Sequence, residues 1–313
     1  MPELSHIVFL DAATLDDLPV FEKFGELGEF TAYPRTSPEQ VVERAKDARV
    51  VITNKVRLTA EQIGALPELK LICVAATGTN NIDREAAERC SIPVRNVAGY
   101  STDSVAQLTL TALNTVAMDL LHLNQEVYNG NYSRALDFTL WRHPFYELSN
   151  KRYGIIGMGT IGRRVAEIAT AYGAEVVYFS ARGHDHDVPY PRLELEDFLR
   201  TSDVVSIHCA LTDATRGLLG AGELEQMKPT AYLVNVARGG IVDERALVDA
   251  LDAGHLAGAA VDVFTEEPLP DDHPYLSVQN REKLLLTPHV GWASVEARTR
   301  LVEGILRNIR QGV

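Results

Sequence analysis

The chain of 313 residues is 46% apolar and 23% charged, which is typical of a globular protein with two domains. Its formal net charge of −13 argues against nucleic acid or an anionic membrane as the main partner, because both would be repelled. A small anionic substrate stays open if a local cation binds it.

The cysteines and the first residues of the chain indicate the cellular compartment. Cys73, Cys90 and Cys209 are scattered and have no C-x-x-C spacing, so we expect reduced thiols in a cytoplasmic protein, with neither a disulfide framework nor a zinc site. The opening stretch MPELSHIVFLDAATL has no basic segment and its apolar run ends at Asp11, which predicts a first strand and not a signal peptide. No apolar stretch approaches the roughly 20 residues that span a bilayer.

The first part of the chain alternates short apolar runs with amphipathic segments. The runs at 6–10, 49–53 and 69–76 predict buried parallel strands. The segments at 37–48 and 58–66 have an early Ser or Thr and a helical spacing of apolar residues, and they predict helices. Alternation of this kind is typical of a parallel α/β sheet.

Residues 101–130 show one continuous helical pattern, from a Ser/Thr start to a Gly stop. A helix of about 30 residues would be roughly 45 Å long, which is more than the core of one domain needs. We predict that it crosses between domains or packs against a second subunit. A long core helix is the alternative.

A second α/β series begins at residue 152. Residues 293–310 predict a terminal amphipathic helix, and residues 184–192 predict a surface loop. The sequence HDHD at 184–187 fits no metal-site spacing, and we expect no metal. The predicted strands of this series lie at 152–157, 174–180, 203–210, 231–237, 256–264 and 283–290.

The stretch KRYGIIGMGTIGRR contains Gly157, Gly159 and Gly162 in the pattern G-x-G-x-x-G. The pattern follows a predicted strand and opens a predicted helix, which is the context in which it binds a dinucleotide. Glycines let the backbone approach a pyrophosphate, and the N-terminus of the helix supplies N–H groups and a partial positive charge. A tight turn without a ligand is the alternative.

Three later stretches place polar side chains just beyond apolar strands, where open α/β sheets bind ligands. They are VNVARGG with Arg238, AVDVFTEEP with Asp262 and Glu267, and TPHVGW with His289. A strand-end Arg beside two glycines in an acidic protein suits a carboxylate ligand. A Glu beside the His would keep the imidazole protonated, ready to act as an acid. Each of these residues taken alone is as compatible with a structural role.

These motifs resemble those of the D-isomer-specific 2-hydroxyacid dehydrogenases, and within them the glycerate dehydrogenase/hydroxypyruvate reductase branch. Gln107 and Asn150 depart from the family's usual Glu and Gly. The matching stretches run nearly end to end: VAATGTNNID, GYSTDSVAQ, GIIGMGTIGR, IHCALTDATRGLL, MKPTAYLVNVARGGIVDE, DVFTEEP and TPHVGWASVEAR.

The resemblance implies an α/β fold of two Rossmann-like or flavodoxin-like parallel-sheet domains, with the cofactor domain inserted in the substrate domain. Residues 1–98 plus 290–313 would form the substrate (catalytic) domain, and residues 99–289 would form the dinucleotide-binding Rossmann domain. The cleft between the domains would hold the chemistry. The long helix near 101–130 would be a dimerisation arm.

The resemblance also implies roles in the reduction of a 2-keto acid. Arg238 would grip the substrate carboxylate and polarise its carbonyl, His289 would be the general acid/base, and Glu267 would orient His289. The amides of Thr77 and Gly78 would complete carboxylate binding. Negative charge growing on the carbonyl oxygen would be stabilised by Arg238 while His289 donates the proton.

The implied cofactor is NAD(P). The second strand of the series ends in Ser180, where proteins that choose NAD usually carry Asp or Glu. Arg182 follows and could supply a cation for a 2′-phosphate, so we predict that NADPH is accepted, either preferentially or alongside NADH. Asp185 and Asp187 could offset that cation, and NAD is the alternative. The full set of predicted cofactor contacts is Gly157, Gly159, Thr160, Ile161, Gly162, Ser180, Arg182, Cys209, Ala237 and Asp262 (near the nicotinamide end).

We therefore expect an oxidoreductase acting on a small D-2-hydroxy acid, with hydroxypyruvate or glyoxylate reduction favoured, that forms a homodimer and binds neither nucleic acid nor membrane. A nucleotide-sensing, corepressor-like interaction protein is the alternative, because such proteins keep the Arg, Glu and His. They typically carry disordered tails, whereas this chain ends soon after its last predicted helix, which favours the enzyme. A formate or phosphite dehydrogenase would need residues for a smaller oxyanion that this sequence does not present.

Overall fold

The computed structural model describes residues 5–15, 18–141 and 144–312. The chain divides into two compact units, one of Met1–Ser101 and Ala293–Val313 and the other of Thr102–Trp292. Each unit holds one sheet, five-stranded in the first and six-stranded in the second, and the strands of both sheets pair in parallel. The predicted fold class of two parallel-sheet α/β domains is confirmed. The predicted domain bounds, at residues 98/99 and 289/290, stay predictions.

The sheet of the first unit has the strand order β2-β1-β3-β4-β5, which is the order of a flavodoxin-like sheet. Strands β3 and β4 are buried throughout, and because buried strands are apolar along their length, their apolar runs predicted them correctly. Sequence patterns did not indicate β2 and β5, because both are edge strands with partly exposed side chains. In chain order the elements are β1 (Ser5–Phe9), β2 (Gly28–Ala32), α1 (Val41–Ala45), β3 (Val50–Thr53), α2 (Ala60–Gly64), β4 (Leu71–Val74), α3 (Arg84–Arg89) and β5 (Val94–Asn96).

The second unit contains the strands predicted from residue 152 onward, each shorter than its apolar run. Its elements are α4 (Thr102–Ala117), α5 (Leu120–Tyr128), β6 (Arg152–Ile156), α6 (Thr160–Ala171), β7 (Glu175–Phe179), α7 (Leu195–Thr201), β8 (Val204–Ile207), α8 (Ala221–Gln226), β9 (Tyr232–Asn235), α9 (Glu244–Asp252), β10 (Gly258–Val261) and β11 (Leu284–Leu286). The strand order is β11-β10-β9-β8-β6-β7. The chain therefore passes from one side of β6 to the other between β7 and β8, and the crevice beyond the carboxyl ends of β6 and β8 is where such sheets bind nucleotides.

The prediction of one helix over 101–130 is wrong, because α4 and α5 are separate helices. Asp119 lies between them with φ of 52°, in the left-handed region. A left-handed residue interrupts the helical hydrogen-bond ladder, and Asp is one of the few residues other than Gly that tolerate it. The periodicity of apolar residues continues across Asp119, so the sequence pattern alone does not show the break.

The core of the second unit lies on both faces of its sheet. On one face α4 and α6 cover the sheet with residues such as Leu113 and Val165, and on the other α8 and α9 do so with Leu224 and Leu247. Asn150, which replaces a glycine common in the family, precedes β6 with φ of 61°. Asn tolerates this left-handed conformation, so the replacement keeps the turn.

The last helix, α10 (Val295–Arg310), belongs to the first unit. The side chain of Ser294 caps it by accepting a hydrogen bond from the Ala297 amide at 3.1 Å. Arg95 of β5 donates to the carbonyl of Asn308 at 3.0 Å, and a Cβ on Gly304 would lie 2.5 Å from Cγ1 of Val97. Close packing thus holds α10 against the β5 region. No helix in the described ranges is both long and apolar enough to cross a membrane.

Candidate active site

A glycine-rich turn joins β6 to α6. At Gly157 φ is 96°, and a Cβ there would lie 2.8 Å from the backbone nitrogen of Cys209. A Cβ on Gly162 would lie 2.2 Å from the carbonyl oxygen of Gly157. The packing of the protein itself therefore requires both glycines.

Gly159 has no such constraint from the protein. A Cβ there would meet nothing within 4 Å, and its φ of −78° is open to any residue. Gly159 is the N-cap of α6, and no side chain caps this N-terminus, which begins with Thr160 and Ile161. Open space beside uncapped helix N–H groups suits the pyrophosphate of a dinucleotide, so the residues of this turn fit the predicted cofactor.

Ser180 and Arg182 lie at the end of β7. Ser180 directly follows the strand and is 8% exposed. The side chain of Arg182 is exposed, and no described residue forms a hydrogen bond or ion pair with it. A hydroxyl and an unpaired cation thus occupy the position at which a carboxylate would select NAD.

In the loop after Arg182, the side chain of Asp185 and the backbone carbonyl of Asp187 bind other arginines. The Asp185 carboxylate lies 2.8 Å from Nε of Arg192, and the carbonyl of Asp187 accepts a hydrogen bond from Arg163 at 2.9 Å. Asp185 is therefore paired with an arginine other than Arg182. Within the described ranges, no group of three His, Cys, Asp or Glu side chains is placed to hold a metal ion.

Two further predicted cofactor contacts, Cys209 and Ala237, follow β8 and β9. Burial raises the pKa of the Cys209 thiol to about 11, so the thiol stays protonated at neutral pH. The amide of Ala237 donates to Oδ1 of Asn235 at 3.1 Å. Both residues border the carboxyl end of the sheet, and their contacts with the cofactor stay predictions.

Arg238 lies three residues beyond β9 in a turn shaped by Asn235, whose side chain donates to the Arg238 carbonyl at 3.0 Å. A Cβ on the following Gly239 would lie 1.9 Å from the carbonyl carbon of Phe264, so only glycine fits there. The half-buried guanidinium donates to the Ala237 carbonyl at 2.7 Å and forms no ion pair with a described carboxylate. An unpaired arginine at a strand end can bind an anion.

Glu267 and His289 are in direct contact. Oε2 of Glu267 lies 2.7 Å from Nδ1 of His289, and Oε1 accepts a hydrogen bond from the Phe264 amide at 3.0 Å. A carboxylate at Nδ1 fixes the ring orientation and leaves Nε2 for chemistry. The two side chains are 31% and 24% exposed, so a small molecule can reach them.

The backbone of His289 is left-handed, with φ of 53°. Such a conformation costs free energy in a residue other than glycine and persists only where the surroundings impose it. Asp262, which is 2% exposed, holds this turn: it accepts hydrogen bonds from Thr287 Oγ1 at 2.5 Å and from the amides of Val290 and Gly291 at 2.9 Å each. Asp262 was predicted to lie near the nicotinamide, and in the structure both of its oxygens bind the turn that carries His289.

A second histidine, His208, directly follows β8. Its Nε2 lies 2.9 Å from Oγ of the buried Ser206. Burial lowers the pKa of His208 to about 3, so at neutral pH it carries no imidazolium proton to donate. Of these two strand-end histidines, His289 is therefore the one suited to acid catalysis.

Thr77 and Gly78 lie in the first unit, in the loop after β4. The side chain of Asn96 donates to the Thr77 carbonyl, and Oγ1 of Thr77 lies 3.4 Å from the Val97 carbonyl. Among the hydrogen bonds of the described residues, neither Thr77 nor Gly78 acts as a backbone donor. Their amides are thus available for a ligand, and the carboxylate-binding role implied for them stays a prediction.

Sequence patterns missed two residues that contact the segment carrying Glu267, namely Glu244 and His273. Glu244 lies six residues after Arg238, and His273 lies six residues after Glu267. The sequence did offer a weak signal, since a glutamate and a histidine each lie six residues after a predicted catalytic residue, but the surrounding residues follow no clear polar or apolar pattern. Nothing in the sequence shows that the two side chains meet.

Comparison with known proteins agrees with this geometry. Residues 110–291 match the family model described as "D-isomer specific 2-hydroxyacid dehydrogenase, NAD binding domain". The chain is 36% identical to a glycerate dehydrogenase of Methylorubrum extorquens, covering 97% of this chain and 94% of that protein. It is 35% identical to a hydroxypyruvate reductase of Blautia hydrogenotrophica, covering 91% and 89%. The solved NADPH-dependent glyoxylate/hydroxypyruvate reductase of Sinorhizobium meliloti, in complex with NADP and malonate, superposes with a TM-score of 0.82 at 26% identity, covering 98% and 93%.

Proposed function

We propose that this chain, which belongs to the D-isomer-specific 2-hydroxyacid dehydrogenase family, reduces small 2-keto acids such as hydroxypyruvate and glyoxylate. Family membership makes it a nicotinamide-dependent oxidoreductase that interconverts hydroxy acids and keto acids. The names of its relatives support the choice of substrate, since they include a glycerate dehydrogenase, a hydroxypyruvate reductase and glyoxylate reductases. The corepressor-like alternative gains no support from these relatives.

The contact between Glu267 and His289 carries the proposed chemistry. The cofactor, when bound, supplies hydride to the carbonyl carbon of the keto acid. Nε2 of His289 donates a proton to the carbonyl oxygen, while Glu267 holds Nδ1 and stabilises the charged ring. The guanidinium of Arg238 binds the carboxylate of the substrate and stabilises the negative charge that grows on the oxygen.

The proposed cofactor is NADPH, used preferentially or alongside NADH. This preference is supported by Ser180 in place of a carboxylate and by the unpaired, exposed Arg182. The pairing of Asp185 with Arg192 at 2.8 Å adds support, because it leaves the charge of Arg182 uncompensated by that aspartate. A 2′-phosphate is an anion that such an arginine can bind.

The proposed assembly is a homodimer formed through α5 and the segment that follows it. Large apolar side chains are exposed there, including Leu121 at 59%, Tyr128 at 83% and Phe138 at 91%. Several exposed large apolar side chains in one segment support an interaction surface there. A second copy of the chain is the proposed partner, because two-fold homodimers are the commonest assemblies.

The proposed location is the cytoplasm. Cys73, Cys90 and Cys209 are free in the structure, so no disulfide links them. Free thiols are usual where the surroundings are reducing.

Substrate profiling tests the proposed function. Purified protein is assayed with hydroxypyruvate, glyoxylate, pyruvate and formate, each with NADPH and with NADH. Hydroxypyruvate or glyoxylate should give the highest kcat/KM, and the variant His289→Gln should lose the activity. His255→Gln, an exposed histidine after α9, is the matched control and should retain it. A preference for formate, or reduction that survives His289→Gln, would overturn the proposal.

A further inference from the structure

Two consecutive amides of the second unit bind two different glutamates. The amide of Phe264 donates to Oε1 of Glu267 at 3.0 Å, and the amide of the next residue, Thr265, donates to Oε1 of Glu244 at 2.7 Å. Glu267 is the residue that holds His289. The two amides belong to consecutive peptide units, 263–264 and 264–265, which meet at Cα of Phe264, so the orientation of the second unit affects the first and with it the carboxylate that orients the proposed acid.

Glu244 is itself held from a second side. Its Oε2 lies 3.0 Å from Nε2 of His273, and the two side chains are 14% and 4% exposed. Nδ1 of His273 accepts a hydrogen bond from the Tyr275 amide at 3.2 Å, so the ring proton lies on Nε2 and points to Glu244. The rings of Phe264 and Tyr275 pack against His273, with centroid distances of 5.9 and 4.9 Å.

Glu244 also belongs to the segment that carries Arg238. It is the first residue of α9, which follows the turn of Arg238 and Gly239. A Cβ on Gly239 would lie 1.9 Å from the carbonyl carbon of Phe264 and 2.2 Å from the amide of Thr265. The two segments are thus in backbone contact, and the Glu244 side chain is a hydrogen-bonded link between them.

We propose that Glu244, held by His273, is a positioning residue that sets the Phe264–Thr265 peptide and, through the adjoining Val263–Phe264 peptide, the Glu267 carboxylate against His289. Neither Glu244 nor His273 takes part in proton transfer. This inference rests on the proposed function, because it concerns the catalytic pair of that reaction. A carboxylate suits the task, since it accepts from the amide and from the imidazole at the same time.

Glu244→Gln tests the proposal, because the amide of Gln cannot accept from both partners. We expect kcat to fall at least tenfold with KM within about twofold of wild type. The pH above which reduction declines should move down, as in Glu267→Gln. In the double variant, Glu244→Gln should lower kcat little further than Glu267→Gln does alone.

Amide hydrogen exchange at Phe264 and Thr265, measured without substrate, should accelerate in Glu244→Gln. Glu223→Gln is the matched control: Glu223 accepts from the Gly220 amide at 3.1 Å at the start of α8, and its loss should leave kcat unchanged.

His273 provides the rescue experiment. His273→Phe keeps a ring but removes the donor to Glu244, and it should lower kcat and speed amide exchange as Glu244→Gln does. His273→Gln again offers an N–H donor to Glu244, so it should restore part of kcat and part of the protection from amide exchange. A pH profile unchanged in Glu244→Gln, or a loss that is fully additive with Glu267→Gln, would overturn the positioning role. Protein that reduces none of the keto acids would refute the proposed function, whereas the exchange rates would still test the contact of Glu244 with Thr265.

Discussion

Oε2 of Glu267 lies 2.7 Å from Nδ1 of His289, although the two residues are 22 positions apart in the sequence. The contact forms because Glu267 follows β10 and His289 follows β11, and these neighbouring parallel strands end at the same edge of the sheet. It gives the second unit an acid whose ring orientation is fixed.

Arg238→Lys should reduce kcat/KM for a 2-keto acid by about 100-fold or more, because lysine keeps the charge but loses the planar fork that binds a carboxylate bidentately. Steady-state kinetics with hydroxypyruvate measures this loss. Arg245→Lys, at an exposed arginine of α9, should leave the ratio unchanged. Turnover close to wild type in Arg238→Lys would rule out the assigned role.

Glu267→Gln should move the decline of keto-acid reduction to lower pH. The reduction needs a protonated His289, and the negative charge of Glu267, 2.7 Å from the ring, favours that protonated form. The kcat profile from about pH 5 to 9 reports the change, with the exposed neighbour substitution Glu266→Gln as the control. An unchanged profile would contradict the pairing even if activity dropped.

Asp262→Asn should destabilise the protein by about 1–3 kcal/mol, because the amide group cannot accept all three hydrogen bonds and leaves a buried donor unsatisfied. Loss of the turn also releases the left-handed His289, so kcat should fall as well. Urea unfolding and steady-state kinetics measure the two effects. Asp249→Asn, at an exposed position of α9, should change neither. A variant as stable as wild type would show that these hydrogen bonds do not hold the turn.

Arg182→Ala should lower kcat/KM with NADPH by about tenfold while leaving kcat/KM with NADH nearly unchanged, since only NADPH carries the 2′-phosphate that the arginine would bind. Each value is measured at saturating keto acid. Arg200→Ala, at an exposed arginine of α7, should leave both unchanged. A hundredfold preference of the wild type for NADH, or an unaltered ratio in the variant, would refute the role of Arg182.

Leu121→Asp should shift the protein from dimer to monomer, because a charge in an apolar interface loses its hydration on association. Light scattering at micromolar concentration measures the mass. Val295→Asp offers a matched control on α10, since Val295 is 58% exposed and Leu121 is 59% exposed. A monomeric wild type, or a dimer that withstands Leu121→Asp, would argue against an interface at α5.

The sequence alone determined the strands that are buried on both faces and the motifs that follow them. Buried parallel strands such as β4 and β10 carry continuous apolar runs, and the glycines at 157 and 162 stand out in a strand–turn–helix motif. Arg238, Glu267 and His289 were identifiable as candidates because each follows such a strand in a recognisable motif. Edge strands β2 and β5 carry no such signal, since their side chains are only partly buried.

Only the tertiary structure decided which side chains meet. The break at Asp119 depends on one backbone angle that apolar periodicity does not encode. The hydrogen bonds from Asp262 to the turn of His289 join residues more than 20 positions apart. The hydrogen bonds of Glu244 with His273 and Thr265 connect the start of α9 to the segment that follows β10. Hydrogen bonds of this kind depend on distances of a few tenths of an ångström between groups brought together by packing, whereas a linear pattern records only polarity and spacing.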